Sequence, residues 1–207
     1  MGSCRKVLLF CLFWIIVVFS AFYSTYLLRI FFPYPLRPLI EANSEKYSLD
    51  PLLVVAIIKV ESNFNPTARS KKGAVGFMQV MPQTAEWIAQ QSGLKFNKED
   101  LLKPEHNISY GCWYLNFLQQ EFSYKLPLVI CAYNSGHFNV HSWLKNKTWD
   151  GSLENSAQIP FEETKIYLKK VVRTYYWYQK LYGNNSPMGG KIFFRILAGK
   201  AGKIGEK

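Results

Sequence analysis

Glu61 closes a run of helix length that is otherwise almost wholly apolar, Asp50-Pro51-Leu52-Leu53-Val54-Val55-Ala56-Ile57-Ile58-Lys59-Val60-Glu61, and Ser62 follows it. Asp50 stands where a helix N-cap belongs, and Pro51 occupies the first helical position, which needs no backbone N–H. Helical spacing puts Val54, Ile57 and Ile58 on the face of Glu61. Burial disfavours the charged form of a carboxylic acid. A Glu on such a face, beside an open cleft, holds a proton near neutral pH and can deliver it, as a general acid must. Taken by itself the residue also suits a surface site on the last helical turn, or half of a structural ion pair.

The positions that would hold this acid read as helix after helix, with no convincing alternation of strand type. Pro82 starts a helix through Trp87 that stops near Gly93. Pro104 starts another, with Ile108, Cys112, Leu115, Leu118 and Phe122 at helical spacing. Leu128 to Asn134 forms a short buried helix closed by Ser135-Gly136, and Phe161 to Tyr182 a long one carrying Tyr167, Val171, Tyr175 and Tyr178 along one face. The fold class expected is mainly α, with a groove between helices.

Length and charge set the surroundings. The chain has 207 residues, 49% of them hydrophobic, which is enough for one domain with extensions and excludes wholesale disorder. Its net charge of +11 is concentrated at the ends. Arg5, Lys6, Arg29 and Arg37 precede residue 40 with no acid among them, and five Lys or Arg against Glu206 follow residue 187. Basic ends suit a membrane or an anionic polymer, and no nucleic-acid-binding motif accompanies them.

Val7 to Leu28 is a 22-residue stretch without charge, placed after Arg5-Lys6. It is long enough to cross a bilayer, and Tyr23, Tyr26 and Arg29 suit the far interface. Cleavage after Ser20 matches the small-residue rule poorly, so an uncleaved signal anchor is expected. The domain boundaries expected are therefore a transmembrane helix at 1–32, a Pro-rich connector at 33–38, a catalytic domain at 39–183 and a basic tail at 184–207. In the tail, Ile192 to Leu197 would suit a membrane surface. A single-pass membrane protein is expected, and two basic residues on each side of the span leave its orientation open by charge. Cys112 and Cys131 have no metal-type spacing and are expected as buried thiols. His106, His137 and His141 show no ligand spacing with nearby acids, so neither a metal site nor a cofactor is expected.

Four motifs occur in order: Glu61-Ser62; Ser70-Lys71-Lys72-Gly73-Ala74-Val75-Gly76-Phe77-Met78-Gln79-Val80-Met81-Pro82; Ala132-Tyr133-Asn134-Ser135-Gly136; and Ile159-Pro160-Phe161-Glu162-Glu163-Thr164 running on to Tyr167 and Val171. Together they resemble the soluble lytic transglycosylase family, lysozyme-like enzymes that cut the glycan strands of peptidoglycan. The resemblance covers about Leu39 to Val171. It implies the helical lysozyme-like fold, Glu61 as the single acid/base, and a substrate-binding set of Ser62, Ser70, Met78, Gln79, Tyr133, Asn134, Glu163 and Tyr167. The partners it implies are glycan strands, and with them a globular part outside the cytoplasm.

Some of these residues also have plain structural readings. Met78 suits a core, Tyr133-Asn134 suits a helix end, and Glu163 suits a surface ion pair. His137-Phe138-Asn139 departs from the Pro-Gly-Arg-like turn usual after the Tyr-Asn pair, and a loop bordering the groove is expected there. Two other functions fit the same residues. A muramidase would need a second acid, for which Glu163 is the one nominee, and a wall-binding module without catalysis would have no use for Glu61.

Overall fold

A computed structural model describes residues 2–93 and 96–183. Of the first helix, the side chains of residues 2–5, 21, 22, 24 and 25 are outside the description. The expected tail at 184–207, with Ile192 to Leu197, and Cys4 also lie outside it. The chain divides into two compact units, Met1–Tyr34 and Pro35–Lys207.

The first unit is one helix, α1 (Gly2–Phe31), whose described apolar side chains are largely exposed. Among the described residues no helix is long and apolar enough to cross a membrane. The expected span Val7 to Leu28 is thus not established by the structure.

The second unit contains α2 (Arg37–Lys46), α3 (Pro51–Ser62), α4 (Pro82–Ser92), α5 (Pro104–Glu121), α6 (Leu126–Ser135), α7 (His137–Lys145) and α8 (Glu162–Tyr182). Short 3-10 turns occupy Lys98–Leu102 and Ser156–Gln158. Among the described residues there is no strand, only isolated bridges joining Val75 to Arg69 and Val80. The mainly α expectation holds.

α3 is the hub. Leu52 to Ile58 are all buried, and α3 packs against both α2 and α8. Its start follows the sequence signal: Asp50 Oδ1 accepts from Leu52 N at 2.8 Å. The same carboxyl accepts from Tyr175 Oη and Gln179 Nε2 of α8, which pins the two helices together. α8 buries Tyr167, Val171, Tyr175 and Tyr178, the face read from the sequence. α6 packs on α8, α7 and α5, and both Cys112 and Cys131 are buried free thiols.

Two boundaries differ from expectation. The connector ends sooner than Pro38, because α2 begins at Arg37 and Pro38 sits in its first turn, where proline is tolerated. The loop expected at His137-Phe138-Asn139 is the first turn of α7. Gly136, at φ +85°, ends α6 and turns the chain straight into the next helix.

Candidate active site

The last turn of α3 carries Glu61 to the edge of the core, where it is half-buried. From α8, 106 positions away in sequence, the Tyr167 hydroxyl donates to Glu61 Oε1 at 2.6 Å. Burial dominates the carboxyl's chemistry and raises its pKa from 4.5 to about 7. The donor from Tyr167 opposes that rise, and the negative charge of Glu163 adds to it. Glu61 is therefore protonated up to neutral pH and ionised above it, the poise of a group that gives a proton and takes one back.

Two phenols report the same proximity. Burial pushes the pKa of Tyr133 and of Tyr167 well above the usual tyrosine range, and the charge of Glu61 is the next cause for both. Tyr133 donates to the carbonyl of Met78 at 2.9 Å. Met78 N in turn donates to Asn107 Oδ1 at 2.8 Å, and Asn107 Nδ2 donates to the carbonyls of Val75 and Leu101, each at 2.8 Å. The 75–78 segment is thereby fixed from beneath by one buried amide on α5. Gly76 allows this approach, since a Cβ there would collide with Asn107 and with the carbonyl of Leu101.

The nine expected site residues fall into three groups. Glu61, Tyr133 and Tyr167 come together. Ser62, Ser70, Gln79 and Asn134 tie neighbouring segments together: Ser62 Oγ donates to the Phe77 carbonyl at 2.8 Å, and Ser70 Oγ accepts from Ala74 N at 2.9 Å. Gln79 Nε2 donates to the carbonyls of Gly76 and Ala68, and Asn134 Oδ1 accepts from Thr164 Oγ1 at 2.7 Å. Met78 and Glu163 depart from the expected substrate contact. Met78 is 0% exposed and lies against Gly111, where a Cβ would strike its side chain. It fills the core. The Glu163 side chain is 68% exposed and paired with Lys72 at 2.9 Å, an arrangement typical of a surface ion pair.

Several site neighbours carried no signal in the motifs. Asn107 is one, a buried polar group at a helical core position, which is the signal that could have found it; Thr164, equally buried, stood in the fourth motif without being read as a site residue. Half-exposed rings form a third feature: Tyr133 meets Tyr114, Tyr114 stacks near Phe117, and Phe117 meets Trp87 and Trp113 with centroids 5.1–6.4 Å apart. They make a continuous aromatic face leading away from the acid.

The sequence shows no ligand spacing between His106, His137 or His141 and a nearby acid, but in the structure two of these histidines meet Glu121. His137 Nδ1 lies 2.9 Å and His141 Nε2 2.8 Å from Glu121 Oε1. The reason is α7 itself: a helix places residues four apart on one side, whereas a loop at 137–139 would not.

With this geometry in hand, a comparison with family models decides the matter: the Transglycosylase SLT domain matches residues 38–155, over half of the chain. The chain belongs to that family. The soluble lytic murein transglycosylase of Escherichia coli K12 is 32% identical over 158 residues, covering 74% of this chain and 24% of that protein. A membrane-bound lytic murein transglycosylase C from Photorhabdus laumondii is 38% identical over 157 residues, covering 65% and 44%. The solved lytic transglycosylase Slt of Pseudomonas aeruginosa, an inactive Glu-to-Gln mutant, superposes with a TM-score of 0.68 at 31% identity, covering 74% of this chain and 25% of that one. The chain thus spans about a quarter of the first relative's length. The SLT match stops before the Ile159–Val171 motif, yet α8 brings Tyr167 from that motif onto Glu61.

The Tyr167 contact yields a pH prediction. Its hydroxyl stabilises the ionised carboxylate, so Tyr167→Phe raises the pKa of Glu61 further. The alkaline limb of kcat/KM against pH, where the free acid form is lost, should move to higher pH. A limb that stays in place or moves down would show that Tyr167 does not govern the charge of Glu61.

Proposed function

We propose that this chain is a peptidoglycan lytic transglycosylase that cleaves the MurNAc-β-1,4-GlcNAc bond without water and leaves a 1,6-anhydro-MurNAc end. The observation that carries the reading is Glu61: a half-buried carboxyl with its pKa near neutrality, whose acidic neighbour Glu163 is exposed and engaged by Lys72. Glycoside hydrolases generally use two carboxylates flanking the bond. One acid suffices if the nucleophile belongs to the substrate.

Glu61 gives its proton to the glycosidic oxygen as the C1–O bond breaks. The substrate's N-acetyl group shares the positive charge at C1, a substrate-assisted route. The ionised Glu61 then takes the proton of the muramic acid 6-hydroxyl as that oxygen bonds to C1, and the enzyme returns to its starting state. Tyr167 holds the carboxyl in place through both steps. The face of Tyr133, Tyr114, Phe117 and Trp87 offers rings on which sugars can lie. In the P. aeruginosa relative a single Glu-to-Gln change gives an inactive enzyme, which agrees with an essential glutamate in the role proposed for Glu61.

Product analysis tests the chemistry. Mass spectrometry of digested peptidoglycan should show anhydro-muropeptides; reducing MurNAc ends would replace the reading by a muramidase.

The anchor is a separate part of the proposal. What supports it is the sequence, which is uncharged over the 22 residues from Val7 to Leu28 and carries Arg5-Lys6 just before them, about the ~20 residues that a span needs. Large exposed apolar side chains along α1 are at home in lipid. The catalytic domain then faces the envelope, where peptidoglycan lies. A cytoplasm-dependent reporter fused to the C-terminus should be silent; an active one would place the domain on the wrong side for this substrate.

A further inference from the structure

We propose that Glu121, His137 and His141 form a binding site for one divalent transition-metal ion, with zinc the ion that the donor set suits. The site lies where the last turn of α5 meets α7, apart from Glu61 and its partners. Their ligand atoms all fall within 4.8 Å of one another. Glu121 Oε1 is 2.9 Å from His137 Nδ1 and 2.8 Å from His141 Nε2, and Oε2 is 3.0 Å from His137 Nδ1. Two imidazoles and a carboxylate bind zinc at ~2.0–2.2 Å, and sites of three protein ligands keep a fourth position open for water.

The move needed to accept the ion is small. Ligand atoms on a tetrahedral ion stand about 3.3–3.4 Å apart, so the carboxylate and each ring need separate by some tenths of an ångström, and the two ring nitrogens, within 4.8 Å of each other, need settle at the same spacing. Each imidazole turns a lone pair toward the ion in place of an N–H. Its proton passes to the other ring nitrogen, so neutral histidines release none. Backbone support is already present, since His137 and His141 are four apart on one regular helix and share its face.

The surroundings favour ligation over mere hydrogen bonding to water. His141 stacks on Phe122 at 4.8 Å, and His137 meets Phe117 at 5.7 Å and Phe138 at 4.1 Å. These rings restrict the imidazoles and lower the local dielectric. The side chains of Glu121 and His137 are 21% and 23% exposed, whereas that of His141 is 50% exposed, which leaves an entry path and room for a bound water. Suitability for zinc follows from borderline-soft imidazole donors; a magnesium or calcium site would be built from oxygens. A bound ion would tie α5 to α7 next to the aromatic face.

The test uses the full tag-free chain in detergent, stripped with chelator and titrated with zinc by calorimetry. One ion per chain should bind. His141→Ala and Glu121→Gln should each weaken binding by at least ~100-fold, the scale set by even indirect ligand support. His106→Ala, at an exposed histidine elsewhere on α5, should leave it unchanged. With zinc at a hundred times Kd, Tm should rise about 5–10 °C, and the two site variants should lose that rise while melting as cooperatively as the parent without zinc. Cobalt in place of zinc should give visible bands of a tetrahedral nitrogen–oxygen site. Absence of one-to-one binding, binding that survives both site variants, or a thiolate-to-cobalt charge-transfer band would each overturn the proposal.

Discussion

Replacing Glu61 with Gln should abolish glycan cleavage while leaving the domain folded and, at neutral pH, no less stable than the parent. Gln keeps the shape of the side chain and still accepts from Tyr167, but it has no proton to give. General acid/base catalysis contributes ~10²–10⁴-fold in rate, and in the proposed mechanism one group performs both halves of the reaction, so the loss should reach the upper end of that range or pass it. Stability should move the other way. The folded pKa of Glu61 is about 7 against 4.5 when unfolded. Between those values the native state holds the proton that the unfolded chain releases, so parent stability falls as pH rises through that window. The difference amounts to on the order of 3 kcal/mol by pH 7. Gln carries no such pH-dependent term. Thermal melts should therefore find the variant and parent closest near pH 4 and the variant ahead near pH 7.5. Cleavage within tenfold of the parent would move the proton donor to another residue and sink the assignment of this site.

The acid and its helix were plain in the sequence because both signals are local. Asp50-Pro51 marks a helix start, and a single Glu on a face of Val54, Ile57 and Ile58 needs no tertiary information to be noticed. Tyr167 was reachable through its motif, although only the packing of α8 on α3 puts its hydroxyl on Glu61. Met78 shows where linear reading stops. Whether a side chain between Phe77 and Gln79 faces groove or core depends on the left-handed turn at Gln79 (φ 48°) and on the bare surface of Gly111. The missed start of α7 has a similar cause. Gly136 reads as the end of one helix, and nothing in His137-Phe138-Asn139 announces the beginning of another. With that turn missed, the histidine pair was invisible.

Asn107→Ala should be among the most damaging changes outside the acid itself, lowering stability by about 2–6 kcal/mol. Asn107 is fully buried, and its one side chain satisfies three backbone groups: the N–H of Met78 and the carbonyls of Val75 and Leu101. Those three residues are buried as well. The Val75 carbonyl keeps its bond from Val80 N at 3.0 Å, so Ala strands the Met78 N–H and the Leu101 carbonyl, each at a cost of about 1–3 kcal/mol. Asn107→Asp separates hydrogen bonding from volume. It is nearly isosteric and keeps the acceptor for Met78 N, but it turns carboxylate lone pairs toward two carbonyl oxygens and adds a buried charge. It should be at least as harmful as Ala, although it leaves no cavity. The effect should also reach catalysis, because the Met78 carbonyl that Asn107 positions is the partner of the Tyr133 hydroxyl beside Glu61. Urea unfolding of both variants measures the stability, and cleavage assayed at a temperature where each remains folded measures the rest. A loss below about 1 kcal/mol for Asn107→Ala would mean that water restores the bonds. An Asp variant milder than Ala would mean that packing volume, and not the two donated bonds, holds the 75–78 segment under the active site.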